Sequence, residues 1–277
     1  MKPIRVIFFD LDDTLIFEEP MIAAAFARTC AAAAVRHGVD PAALEQSVRR
    51  IARERWYAAQ GEELWGHKIG ISSWEVLYGD FAVGDAPLLR WLRENARTFR
   101  QQAWASALRE QGVEDEPLAH ALAERFRDIV YANVTLFPET IEVLNALRSR
   151  YRLGMITNGA PDVQRGKVIA ANLQDYFEAI IISGELGIGK PERGIFDHAL
   201  RVMSAVPEDS LMVGNSFERD VEGALGAGMR AVWLNLLHAP PPRNDARCET
   251  IYNLRELLSL VCGSSHDESG GAWGHQR

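Results

Sequence analysis

The apolar residues of the chain follow two rhythms. Residues 4–9 form a short apolar run rich in β-branched side chains, which fits a strand buried on both faces of a parallel sheet. Similar runs recur at 151–156, 179–183, 210–213 and 230–234, with helix-like stretches between them at 139–150, 162–171, 194–202 and 220–227. Strands alternating with helices of this length predict right-handed βαβ crossovers and an α/β fold built on a doubly wound, Rossmann-like parallel sheet.

Between the first two strands the rhythm changes. From 19 to 134 the apolar positions recur at helical spacing with almost no alternation, which predicts an inserted all-helical block. Within it, 23–35 is alanine-rich, Asp40-Pro41 reads as an N-cap followed by proline at the first helical position, and 88–108 is amphipathic. Five of the seven tryptophans (Trp56, Trp65, Trp74, Trp91, Trp104) fall in this block. Packing between helices is the favoured reading of them, and an aromatic face over a ligand is the other. The expected organisation is an α/β core of residues 1–18 and 135–262, a helical insert of 19–134, and a polar, glycine-rich flexible tail at 263–277. An insert that leaves after the first strand sits near the carboxyl ends of the strands, where open α/β sheets bind ligands.

Composition narrows the function. Thirty Lys+Arg against 38 Asp+Glu give a net charge of −8, which argues against nucleic acid as a partner. No run approaches the roughly 20 apolar residues that span a bilayer, and the first residues lack the pattern of a signal peptide, so no membrane association and a cytoplasmic location are expected. Three widely spaced cysteines (Cys30, Cys248, Cys262) suggest neither a disulfide framework nor a zinc site.

Candidate chemistry gathers at the ends of the predicted strands. The first run ends in Asp10-Leu11-Asp12-Asp13-Thr14, two carboxylates separated by one residue beside a buried element. Acids there are costly to bury unpaired, so they call for a cation or a reaction that uses the charge, a solvated turn being the alternative. The second run ends in Thr157-Asn158-Gly159, and the fourth in Gly214-Asn215-Ser216 with Asp220 following; Gly189-Lys190-Pro191 lies between. Each motif is weak alone, but one doubly wound sheet would bring all four to one edge. Residues 184–190 also match the GxxxxGK spacing of a phosphate-binding loop. Pro191 offers no hydroxyl to Mg²⁺ and ill suits the helix that should follow, which argues against nucleotide binding there.

Together these motifs resemble the haloacid dehalogenase superfamily of hydrolases, with DxDxT after the first strand, Ser or Thr ending the second, a Lys, and an acidic cluster after the fourth. The resemblance runs to about Leu260, and the helical insert is similar to the family's C1-type cap. It implies Mg²⁺-dependent hydrolysis of a small-molecule phosphate monoester through an aspartyl-phosphate. By resemblance, Asp10 is the nucleophile, Asp12 the general acid and base, and Lys190 the neutralising cation. Thr157 and the Asn158 N–H would hold phosphoryl oxygens, and Asp10, Asp12, Asn215 and Asp220 would form the metal site. Asn215 stands where the family most often has Asp, so either Asn215 or Asp220 is the direct ligand. Dehalogenases need no leaving-group acid, and their first motif generally lacks the second Asp, so Asp12 favours a phosphatase. A phosphomutase, a 2-haloacid dehalogenase-type hydrolase and a non-catalytic regulatory protein are the alternatives. The cap would choose the substrate, and Trp65-Gly66-His67-Lys68 is either an exposed loop or a segment that places His67 or Lys68 on the leaving group.

Overall fold

The computed structural model describes residues 3–60 and 65–262, with only the backbone of Arg36, Trp65 and His67. The 263–277 tail and the side chains of Trp65 and His67 lie outside the described residues. Six strands form one parallel sheet: β1 (Val6–Phe9), β2 (Arg152–Thr157), β3 (Ala179–Ile182), β4 (Ser210–Gly214), β5 (Arg230–Leu234) and β6 (Cys248–Ile251), in the order β3-β2-β1-β4-β5-β6. The doubly wound α/β sheet expected from the apolar runs is present. Strand β6 is an addition, because Cys-Glu-Thr-Ile is short, half polar and only partly buried at the sheet edge, and so leaves no apolar run to read. Alternate residues feed opposite faces of the sheet. Ile7, Phe9, Met155 and Val213 belong to one apolar cluster, and Val6, Phe8, Ile156 and Met212 to another. Strand β1 lies between β2 and β4, so the crossovers diverge from it and open a crevice at the carboxyl ends of these three strands.

The inserted block holds α1 (Glu18–His37), α2 (Pro41–Gln60), α3 (Trp65–Ile69), α4 (Ser73–Tyr78), α5 (Pro87–Glu110) and α6 (Glu116–Ala132). Asp40 caps α2 by accepting the Ala42 N–H at 2.9 Å, as its Asp-Pro sequence predicts. The helices share one apolar cluster in which Trp56 and Trp104 are buried and against which Trp74 and Trp91 pack. Helix packing therefore engages the four tryptophans described, and Trp56 and Trp74 also line a cavity. The chain enters and leaves the block through adjacent backbone: Phe17 N–H donates to Thr135 C=O at 2.8 Å and Phe137 N–H to Leu15 C=O at 3.1 Å. The rings of Phe17 and Phe137 stack across this double crossing, 3.7 Å between centroids.

Around the sheet pack α7 (Thr140–Arg148), α8 (Pro161–Ala170), α9 (Ser183–Leu186), α10 (Arg193–Val202), α11 (Gly223–Gly226) and α12 (Arg255–Cys262). The helix expected at 220–227 is shorter. A π-type turn, Phe217–Glu222, precedes α11, and within it the N–H groups of Asp220 and Val221 both reach the Ser216 carbonyl, at 2.9 and 3.4 Å. The phosphate-loop spacing at 184–190 leads to no helix at Lys190: the Lys190–Pro191 peptide is cis and α10 begins only at Arg193. No disulfide forms among the described residues, and no helix among them is long and apolar enough to cross a membrane.

Trp104 is fully buried, with the rings of Phe26 and Phe126 about it at 6.1 and 6.0 Å. Trp104→Ala should destabilise the protein by about 3–5 kcal/mol in urea melts. A loss under about 1 kcal/mol would show that this cluster does not hold the helical block together.

Candidate active site

Asp10 leaves β1 with its N–H on the Val213 carbonyl of β4 at 2.9 Å, which fixes it at the crevice. The chain then turns tightly: Leu15 and Ile16 N–H both donate to the Leu11 carbonyl, and Asp13 adopts a left-handed conformation with φ 53°. Asp13 can hold that strained turn because its carboxylate accepts the Glu18 N–H at the start of α1, 2.9 Å away. Thr14 joins the first and fourth motifs. Its hydroxyl accepts the Asn215 N–H at 3.1 Å and lies 3.5 Å from Asp10 Oδ2 and 3.4 Å from Asn215 Oδ1.

Lys190 occupies the centre. Its ammonium donates to Asp10 Oδ1 at 2.7 Å and to Asp220 Oδ1 at 2.5 Å, and all three side chains are buried. The second Asp220 oxygen accepts the Ser216 N–H at 2.9 Å, a contact that the wide π-type turn permits by folding Asp220 back on its own loop. Asp220 is thus bonded to Lys190 and to its own loop. Asn158 grips the Lys190 backbone from the other side, accepting its N–H at 2.8 Å and donating to its carbonyl at 2.9 Å. Burial pushes the Asp10 carboxyl up to about 7 against the downward pull of Lys190, with Asp220 and Asp12 adding to the rise. Burial pulls the Lys190 ammonium down, and the Asp10 and Asp220 carboxylates outweigh it, so its pKa is raised.

Asp10, Asp12, Asn158, Lys190, Asn215 and Asp220 all line one polar pocket of about 180 Å³. Thr157 does not line it. Thr157 is buried at the end of β2, where its hydroxyl accepts from Gln164 Nε2 at 2.6 Å. Gln164 also donates to Asp12 Oδ2 at 2.8 Å, and Lys167 donates to Asp12 Oδ1 at 2.8 Å and to Glu18 Oε1 at 2.6 Å. Burial pulls the Lys167 ammonium down, but Asp12 and Glu18 hold it well above its ordinary value.

Gln164, Lys167, Glu18 and Glu75 escaped the sequence reading. On α8 the polar Gln164 and Lys167, three apart, read as a solvated face until the fold buries them beside Val163 and Val168. Glu75, on α4, closes a capping box by accepting the Ser72 N–H at 2.8 Å, and its other oxygen accepts the Ala160 N–H of the sheet domain at 3.1 Å. Nearby, the Ile69 carbonyl accepts the Gly159 N–H at 2.9 Å and the Ser183 hydroxyl. Gly70 (φ +77°) and Gly189 make this approach possible. A Cβ would lie 2.6 Å from Asn158 Cβ at Gly70 and 2.7 Å from the Lys68 carbonyl at Gly189. The 65–68 segment is therefore part of a short helix seated on the sheet domain, with Lys68 itself exposed.

Six acids, Asp10, Asp12, Asp13, Glu18, Glu75 and Asp220, line the pocket against Lys190 and Arg219. A dianionic ligand would meet net repulsion there unless a further cation came with it. Among the described residues no three His, Cys, Asp or Glu side chains form a ready-made metal cage. Mg²⁺ does not require one, since it usually takes one or two carboxylates and fills its octahedron with water and substrate oxygens. The oxygens of Asp10 and Asn215 that flank Thr14 fit such a hard cation.

Burial pushes the Glu75 carboxyl from its ordinary 4.5 up to about 7, against the downward pull of Lys167. The native state therefore binds that proton more tightly than the unfolded chain, and stability present below about pH 4.5 is lost as pH rises toward 7. Glu75→Gln does not titrate, so its unfolding free energy from urea melts in EDTA should rise relative to wild type over that window, by about 3 kcal/mol at most. A difference that stays flat with pH would show that Glu75 is not held in its protonated form.

Residues 4–228 match the family model of haloacid dehalogenase-like hydrolases. The phosphoserine phosphatase of Thermus thermophilus is 35% identical over 267 residues, covering 92% of this chain and 98% of that enzyme. The N-acylneuraminate-9-phosphatase of Rattus norvegicus is 28% identical over 268 residues, 94% of this chain and 96% of that one. Among solved structures, a 2-haloacid dehalogenase from Pseudomonas syringae pv. Tomato DC3000 superposes with a TM-score of 0.60 at 27% identity, over 94% of this chain and 99% of its own. The chain belongs to the haloacid dehalogenase-like hydrolases and is a phosphatase of that family.

Proposed function

We propose that the chain hydrolyses a small-molecule phosphate monoester through a phosphoryl group carried on Asp10, with Mg²⁺ as cofactor and the helical block 19–134 as a cap over the site. The observation that carries this reading is Lys190 held between Asp10 and Asp220 in an acid-lined pocket that Asp12 shares. An Asp10 oxygen forms a bond to phosphorus as the ester P–O bond breaks, and the leaving oxygen takes a proton from Asp12. Water then attacks the aspartyl-phosphate, gives its proton back to Asp12, and releases inorganic phosphate and free Asp10. Lys190 offsets the charge that gathers between nucleophile and phosphoryl group. Lys167 and Gln164 hold the two Asp12 oxygens and so fix the direction from which it delivers its proton. Asp10 and Asn215 would hold the metal with the Asp12 carbonyl, and Asp220 supports them through Lys190 or as a ligand itself. The cation would supply charge neutralisation for the phosphoryl oxygens.

The Lys167 amine and Gln164 amide that position Asp12 support its part as a proton carrier, which favours phosphate over halide as the leaving group, since halide needs no proton. The test is turnover of p-nitrophenyl phosphate and of an alkyl phosphate with Mg²⁺. In the first turnover, Asp12→Asn should slow alcohol release from the alkyl phosphate by about 10²–10⁴-fold and spare the burst of nitrophenolate, which leaves unaided, while steady-state turnover of both esters falls because the attacking water has lost its base. Equal losses on both esters in the first turnover, or wild-type rates no higher than those of an Asp10→Asn control, would contradict the reading.

A further inference from the structure

A second cavity, of about 350 Å³, adjoins the phosphoryl pocket. The two share Gly70, Ser72 and Arg219, so a molecule with its phosphoryl group at Asp10 extends its remainder into this second space. Its walls carry Arg53 and Tyr57 from α2, Trp74 from α4, and Arg219 from the π-type turn after β4. The charge pattern reverses between the two spaces. Six acids line the phosphoryl pocket, whereas none lines the second cavity among the described residues.

Some arginines of the helical block are already committed to carboxylates. In the helical block Arg49 pairs with Glu19 and Glu45, Arg50 with Glu54 and Glu110, and Arg100 and Arg127 with Asp80. Arg53 and Arg219 are exposed and form no ion pair among the described residues. Arg53 is instead placed by its own helix, with its guanidinium 5.8 Å from the centroid of the Tyr57 ring. Two guanidinium groups on a cavity that no acid lines among the described residues suit an oxyanion, because the planar fork pairs with carboxylate or phosphate through two parallel hydrogen bonds. The aromatic rings beside them suit an apolar or flat body.

We propose that this cavity binds the leaving group of the substrate, and that the leaving group carries a second anionic oxygen group, carboxylate or phosphate, held by Arg53 and Arg219. The proposal rests on the phosphatase reading for the position of the first phosphoryl group. It makes the enzyme selective for doubly anionic organic phosphates. The phosphoryl pocket recognises one end, and the arginine cavity measures the distance to the other.

Three aryl esters of similar shape test it: 4-carboxyphenyl phosphate, benzene-1,4-diyl bisphosphate and the neutral-tailed 4-carbamoylphenyl phosphate. Wild type with Mg²⁺ should favour at least one anionic ester over the carbamoyl ester by about tenfold or more in kcat/KM, chiefly through KM. Which anionic ester it favours tells carboxylate from phosphate. Arg53→Gln and Arg219→Gln should each reduce that ratio, the double variant should bring it near one, and Arg219→Lys should keep part of it. The same ligands titrated calorimetrically into Asp10→Asn protein should show the same order of affinity. Equal affinity and turnover for charged and neutral esters would overturn the proposal, as would arginine variants that weaken all three alike. If no ester, nor p-nitrophenyl phosphate, turns over above the Asp10→Asn control, the phosphatase reading fails, and the titrations alone then decide the anion site.

Discussion

A buried ammonium held between two buried carboxylates organises the site. Lys190 meets Asp10 from the end of β1 and Asp220 from the loop after β4, so one cation joins two motifs far apart in sequence. Any one of these charges alone would be costly in a buried position. The arrangement persists because each partner is held from outside the triad: Asp10 through its N–H on Val213, Asp220 by the Ser216 N–H, and Lys190 by the Asn158 amide. Parallel register makes this economical. With β1 central, three adjacent strands end at one edge, and short loops suffice to bring their residues together.

The helical block meets this edge through polar backbone contacts as well as an apolar one, in which Ala160 and Val163 join its core. Glu75 reaches the N–H groups of Ser72 and Ala160, and Ile69 offers its carbonyl to Gly159 and Ser183. The same segment, by way of Gly70 and Ser72, forms the boundary between the phosphoryl pocket and the arginine-lined cavity. Contacts that seat the block and contacts that shape the space for a leaving group are therefore made by neighbouring residues, 69–75.

Much of the architecture was legible because it depends on periodicity. Apolar runs marked five of the six strands, and the change to helical spacing marked the insert. The edge strand β6 was hidden since a half-polar tetrapeptide leaves no run. At the site, motif order placed Asp10, Asp12, Asn158, Lys190, Asn215 and Asp220 on one pocket. Its supports were less visible. Lys167 and Gln164 sit on a helix whose sequence reads as ordinary and surface-facing, and only the fold shows that their side is the buried one. Glu75 resembles any capping-box acid until the partner domain brings Ala160 to its second oxygen. Thr157 shows the opposite: its motif suggests contact with phosphate, while its hydroxyl is engaged by Gln164 beneath the pocket. The gap in each case is tertiary, since a linear pattern states which residue types are near a strand end but not which neighbour claims them.

The central claim is that Asp10, set by Lys190, carries the phosphoryl group covalently. Its most direct test is to mix Asp12→Asn protein, in which hydrolysis of the intermediate lacks its base, with a phosphate ester and Mg²⁺, quench in acid, and map the phosphoryl group by peptide mass spectrometry. A phosphoryl group on Asp10 that appears with substrate and decays over time is the expected result. Turnover of the ester with no modification of Asp10, or with the phosphoryl group on another residue, would contradict it.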